Sequence, residues 1–179
     1  GPLYFLYKII DVIKIAHQWN ALQDGNTSVP VYWMASEDHD FKEISFFKTN
    51  DNLFKWDIST NGAVGDLETS SLNKTYKEVI EFFGMHNTNS KKIIELFKNS
   101  YLNNNKLSDA TFRLVHSLFG KHGLLILNPD DVKLKKKLPM LLISEPKNIP
   151  MWIFLCKRSS LNFYCCHGSG RRSEQKFLS

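Results

Sequence analysis

The chain has 179 residues, of which 42% are apolar and 23% are charged. This is the composition of a folded domain and excludes disorder of the whole chain. There is no run of about 18 apolar residues, so no transmembrane helix is expected, and the residue series of a secretory signal is also missing. Because the first residue is Gly1 and not methionine, we expect that the start was removed or that this is an internal fragment.

The net charge of +5 is concentrated at the C-terminal end of the chain. Residues 1–136 contain 16 basic and 16 acidic residues, whereas residues 137–179 contain 7 basic and 2 acidic ones. A nucleic-acid surface spread over the fold is therefore not supported, although a basic tail that engages nucleic acid stays open as an alternative. All three cysteines lie in the same tail. The body thus has no disulfide framework, as is typical of cytoplasmic proteins.

The first half of the chain predicts an α/β fold. Residues 3–19 are apolar nearly all round, with Pro2 suited to the first helical position, and we expect a helix that is buried on most of its surface. Residues 29–35 form a short apolar run rich in β-forming residues and are expected to be a buried strand. A helix, a turn, a buried strand and a polar loop in this order are typical of α/β proteins.

Three further helices are predicted from apolar residues at helical spacing, over residues 75–83, 90–102 and 109–119, with Ser108 as the N-cap of the last. Gly120 or Gly123 is expected to end that helix, before a short strand at 124–127 and a helix at 130–136. After residue 137, prolines interrupt every candidate helix, and the sequence predicts no regular element.

Glu37-Asp38-His39-Asp40 is the strongest candidate for chemistry, because it directly follows the predicted strand. Ligands of open α/β sheets bind beyond the carboxyl ends of the strands, and carboxylates beside an imidazole can orient it as a general acid or base. Two alternatives stay open. One is a solvated turn in which Asp40 caps a helix that starts at Phe41. The other is a set of metal ligands, as in a metal-dependent phosphoesterase or another nucleotide-binding α/β enzyme.

The helix start at Gly1-Pro2 is a second candidate. A helix N-terminus with a glycine before it can bind an anion, and Tyr4 and Lys8 lie one turn apart on the same helix. Plain capping and packing is the alternative. Cys165-Cys166-His167 lacks the two-residue spacing of zinc or redox motifs, so we assign it no metal.

Two sequence blocks resemble a known family: Gly1-Pro2-Leu3-Tyr4 followed by Tyr7-Lys8-Ile9-Ile10, and the run from Val29 to Ile44 that contains Trp33 and the acidic cluster. Gly62-Ala63-Val64-Gly65 and residues 118–127 also resemble segments of this family. With both blocks at matching spacing, residues 1 to about 136 resemble the cysteine-adding enzyme of bacillithiol biosynthesis.

The resemblance implies a Rossmann-like parallel-sheet core, similar to that of class I aminoacyl-tRNA synthetases, with a helical insertion. It implies a cytoplasmic ligase that adds cysteine to glucosaminyl-malate in the last step of bacillithiol formation, with ATP or another nucleotide as the expected cofactor. The full-length family is expected to be a homodimer through a C-terminal coiled coil. Neither nucleic acid nor a membrane is an expected partner, and no metal site is assigned.

The resemblance also implies roles for residues of both blocks. His39 would act as acid or base or contact phosphate, Asp38 and Asp40 would hold an amine, and Glu37 would complete the catalytic cluster. Gly1, Tyr4 and Lys8 would line the nucleotide pocket, facing the same crevice.

The resemblance divides the chain into a partial core at 1–60, a helical insertion at 61–123, a return strand and helix at 124–136, and a tail at 137–179. Because charge, cysteine usage and periodicity all change near Lys137, we hypothesise that the tail is translated out of frame, with a divergent native tail as the alternative. The family's preceding strand is absent, so we predict that the fragment alone is inactive.

Overall fold

The computed structural model describes residues 2–22, 27–36, 38–49, 52–60, 62–137, 152–157, 160–165 and 173–174. The chain divides into two compact units. The first comprises residues 1–34 and 119–179, and the second comprises residues 35–118. In the part of the chain that the structure describes, no helix is long and apolar enough to cross a membrane.

The first unit is a helix on a sheet. Helix α1 (Pro2–Leu22) precedes strand β1 (Thr27–Trp33), and β4 (Leu125–Leu127) pairs with β1 in parallel, with Tyr32 opposite Ile126. The side-chain amide of Asn20 ties the end of α1 to β1, since it donates a 2.9 Å hydrogen bond to the carbonyl of Ser28. The predicted α/β class is confirmed, and α1 begins at Pro2 as expected.

Helix α1 is buried along one stripe only. Ile9 and Ala16 are fully buried, and Val12 and Ile13 nearly so, whereas several large apolar side chains are exposed: Leu3, Tyr4, Tyr7, Ile10 and Leu22. The prediction of a helix buried on most of its surface is therefore wrong. A sheet covers only one face of a helix, and apolar composition alone does not show whether a second element covers the other face.

The rest of the first unit follows helix α5 (Leu107–Phe119). Gly123, with a positive φ of 78°, ends the turn after that helix. Helix α6 (Val132–Lys137) starts near Asp131, whose carboxylate accepts the N–H of Lys133 at 2.7 Å. This agrees with the acidic residues expected at its positive end.

Three strands follow residue 137: β5 (Trp152–Lys157), β6 (Ser160–Cys165) and β7 (Ser173–Glu174). They pair in antiparallel fashion and extend the sheet in the order β4-β1-β5-β6-β7. The prediction of no regular element in the tail is thus wrong. The last proline is Pro150, and the stretch after it contains short runs of branched and aromatic residues, which favour strands.

The second unit combines a hairpin with three helices. After α2 (Phe41–Ile44), strands β2 (Phe46–Lys48) and β3 (Leu53–Lys55) pair in antiparallel fashion. The predicted helices are confirmed as α3 (Asn73–Phe83), α4 (Thr88–Phe97) and α5 (Leu107–Phe119), and a π-helical turn (Lys98–Leu102) follows α4. Val79, Ile94 and Val115 from the three helices are buried in its core.

Ser108 does not cap α5, because the helix already begins at Leu107. The preceding residue, Lys106, forms a β-bridge with Glu68, and the N–H of Leu107 donates to the carbonyl of Leu67 at 2.9 Å. The helix therefore starts directly after a backbone contact that the local sequence does not reveal.

Candidate functional site

The acidic loop, defined as Asp38–Asp40, follows the end of β1 as predicted. The N–H of Met34 still donates to the carbonyl of Leu127 at 2.9 Å, which continues the parallel pairing one residue past β1. All three side chains of the acidic loop are exposed. Glu37, the fourth predicted catalytic residue, lies outside the described residues.

Both carboxylates of the acidic loop order its backbone. One oxygen of Asp38 accepts the N–H groups of His39 at 2.7 Å and Asp40 at 3.1 Å. One oxygen of Asp40 accepts the N–H of Lys42 at 3.1 Å and caps α2. The capping interpretation of Asp40 is therefore confirmed. In the described part of the chain, neither carboxylate bonds the imidazole of His39, and each bonds to the backbone through one of its two oxygens.

Backbone hydrogen bonds from Val64 and Gly65 position the segment that contains the acidic loop. The N–H of Val64 donates to the carbonyl of Asp38 at 2.7 Å, and that of Gly65 donates to the carbonyl of Ser36 at 3.0 Å. A Cβ at position 65 would lie 2.7 Å from both the Cβ and the carbonyl oxygen of Ser36. Only glycine fits this approach. The sequence showed Gly65 as part of a family-like motif but gave no sign of its contact with Ser36.

The nucleotide-pocket residues lie on α1, in the first unit. The ammonium of Lys8 is 4.4 Å from the centroid of the Tyr4 ring, a cation–π contact that places both groups on one exposed face, as predicted. The first turn of α1 contains no acidic residue, so this end of the helix suits an anion such as a nucleotide phosphate. Gly1 lies outside the described residues. Because the acidic loop belongs to the second unit, a crevice shared by both groups stays a prediction.

For the metal-ligand alternative, the structure describes Asp38, His39 and Asp40 but not Glu37. Among the described residues, no group of three or more His, Cys, Asp and Glu side chains is placed to hold a metal ion. The carboxylates of Asp38 and Asp40 each bond to backbone N–H groups through one oxygen, within a turn and a helix cap. Cys166 and His167 of the tail lie outside the described residues.

Comparisons with known proteins agree with the predicted fold. Residues 1–148 match the family model described as "Bacillithiol biosynthesis BshC, N-terminal Rossmann-like domain". This match runs past residue 136, where the sequence resemblance was expected to end.

Three relatives carry the name "Putative cysteine ligase BshC". The protein of Flavobacterium johnsoniae is 41% identical over 139 residues, that of Flavobacterium psychrophilum 43% over 137, and that of Christiangramia forsetii 42% over 140. Each alignment covers 76% of this chain and 26% of the relative. The chain thus spans about a quarter of the length of these relatives, and it belongs to the BshC family of bacillithiol biosynthesis, with the family's N-terminal Rossmann-like domain in residues 1–148.

Proposed function

We propose that this chain is the N-terminal part of a ligase that joins the carboxyl group of cysteine to the amine of glucosaminyl-malate. The observation that carries this proposal is the match of residues 1–148 to the family's Rossmann-like domain. The name shared by the relatives, a cysteine ligase, points to the same reaction class.

The acidic loop supplies the groups that an amine substrate needs. Each carboxylate uses one oxygen for the backbone, which leaves the other free to accept a charge-assisted hydrogen bond from a protonated amine. The amine must lose protons before its nitrogen attacks the carboxyl carbon and after the amide bond forms. We assign the acceptance of a proton to the exposed imidazole of His39, because a ring nitrogen of histidine is the commonest general base in enzymes.

The start of α1 supplies a place for a nucleotide. Lys8 and the N–H groups of the first turn suit its phosphates, and the exposed ring of Tyr4 contacts the ammonium of Lys8. A bound nucleotide such as ATP would supply the activation that turns the cysteine carboxylate into an acyl group with a good leaving group. We further propose that the full-length protein acts as a homodimer on these small-molecule substrates.

A chimera tests the reaction. Residues 1–136 of this chain replace the matching segment of the Flavobacterium johnsoniae relative, and mass spectrometry follows the amide formed from cysteine, glucosaminyl-malate and ATP. We expect product from both the relative and the chimera. Failure of both to form it in the presence of ATP contradicts the proposed ligase function.

Variants of the chimera test the roles of the acidic loop. His39→Ala is expected to lower kcat at least about 100-fold, the usual loss for a general acid or base, while His86→Ala, at another exposed histidine of the second unit, serves as the matched control. Asp38→Asn keeps an oxygen for the backbone but loses the charge, so we expect a higher KM for the amine substrate. If kcat of His39→Ala equals that of His86→Ala, the role of His39 is wrong although the ligase assignment stands.

A further inference from the structure

The second unit contains a cavity of about 400 Å³. Its lining is mainly apolar, whereas the acidic loop consists of ionisable side chains. Aliphatic side chains and six aromatic ones line it, the latter being Phe46, Phe47, Phe54, Trp56, Phe97 and Tyr101. No charged residue is among the lining residues that the structure describes. Cysteine and glucosaminyl-malate both carry charges, and burying an unpaired charge in such surroundings is strongly unfavourable. The cavity therefore suits neither substrate of the proposed reaction.

The polar groups of the cavity narrow the class of ligand. Four hydroxyl-bearing residues line it, and two of them are already satisfied. Ser45 donates to the carbonyl of Lys42 at 3.0 Å, and Thr75 donates to that of Lys55 at 3.2 Å. The hydroxyls of Tyr101 and Thr111 make no hydrogen bond to another residue in the described ranges. Burial raises the pKa of Tyr101, so this phenol stays neutral at physiological pH and can both donate and accept.

We propose that this cavity binds a small, uncharged and mainly apolar molecule that carries one hydrogen-bonding group, with the hydroxyl of Tyr101 as its polar anchor. Cavities of roughly 150 Å³ with apolar walls already accept a benzene ring, so 400 Å³ gives room for a substituted ring. Three exposed apolar side chains, Ile44, Phe46 and Ile93, are among the lining residues and give the cavity an apolar rim. Binding at this site is independent of the ligase reaction.

Three probes share one methyl-substituted ring and differ only in the second substituent. p-Cresol carries a hydroxyl group, toluene carries no polar group, and p-toluate carries a charged carboxylate. Each is titrated into the isotope-labelled chain while NMR follows the methyl groups of Ile93, Thr111 and Leu114, which line the cavity. We expect saturable shifts with p-cresol. Toluene should bind about fivefold more weakly, because it lacks one hydrogen bond. We expect no binding of p-toluate, because its charge would be buried without a partner. Saturation by p-toluate as tight as by p-cresol, or no saturable shift with p-cresol, overturns the proposal.

Two variants of lining residues and one control variant locate the binding. Tyr101→Phe is expected to remove the difference between p-cresol and toluene, and an unchanged difference shows that Tyr101 is not the anchor. Leu96→Trp fills the cavity from a partly exposed position and is expected to abolish binding, whereas Leu22→Trp, at an 83% exposed position of the other unit, leaves it intact. Circular dichroism checks that both variants fold. If the same methyl signals shift with chain concentration alone, a second copy occupies the cavity and the proposal is wrong.

Discussion

The two units of the chain differ in how their elements are joined. In the first, a stripe of α1 centred on Ile9 and Ala16 covers β1 with fully buried apolar side chains. In the second, short elements are joined by side-chain hydrogen bonds across long sequence separations. Examples are Thr69 to the carbonyl of Asn104, and Trp56 to Ser71 at 2.8 Å. Both units therefore have buried apolar side chains, and the second adds these polar contacts between short elements. Substitutions of buried apolar residues should have larger effects than substitutions of single hydrogen-bonding groups.

The largest effect is expected in the stripe of α1. Ile9 is fully buried whereas its neighbour Ile10 is 46% exposed. Ile9→Ala should lower the free energy of unfolding by about 2–5 kcal/mol, because it removes buried methyl groups and leaves a cavity. Ile10→Ala should change it by less than about 1 kcal/mol. Urea unfolding with amide hydrogen exchange in β1 and β4 measures both, and equal losses contradict a helix that is buried along one stripe.

The exposed face of α1 shows what sequence periodicity could and could not predict. Repeated apolar spacing was enough to place α1 and the three helices of the second unit. It did not distinguish Ile9, which the sheet covers, from Leu3 and Tyr7, which are exposed. That difference depends on the elements that pack against the helix, and those lie far away in the sequence.

The features of the acidic loop that depend on neighbouring residues were predictable, and those that depend on distant residues were not. Its place after a buried strand and the capping role of Asp40 follow from neighbouring residues, and the structure confirms both. The contact of Gly65 with Ser36 joins distant parts of the chain, so no local pattern reveals it. The bonds from one oxygen of Asp38 to two backbone N–H groups depend on the turn geometry of the loop, which residue types alone did not supply.

The next effect in size concerns Gly65. Gly65→Ala places a methyl group 2.7 Å from the carbonyl oxygen of Ser36, so the loop must shift, at a cost of about 1–3 kcal/mol. Gly62→Ala is the matched control in the same segment. It meets no atom within 4 Å but has a φ of 112°, so it tests backbone strain without crowding.

NMR shifts of the amide groups of Asp38 and His39 distinguish the two glycine variants. We expect large shifts only for Gly65→Ala, because it alone crowds the segment that carries the acidic loop. Shifts of the same size in Gly62→Ala would show that general loss of stability, and not the contact with Ser36, controls the position of the loop.

The smallest effects test the polar contacts of the second unit. The buried hydroxyl of Thr69 donates to the carbonyl of Asn104, whereas that of Ser100, also buried, makes no hydrogen bond to any described residue. Thr69→Val keeps the shape but leaves that carbonyl without its donor, which should cost about 1 kcal/mol or somewhat more. Ser100→Ala removes an unpaired polar atom and should be neutral or stabilising by up to about 1 kcal/mol. Thermal and urea unfolding of both variants give the sign, and a clear loss in Ser100→Ala would show that its hydroxyl has a partner and that this unit relies on one more polar contact.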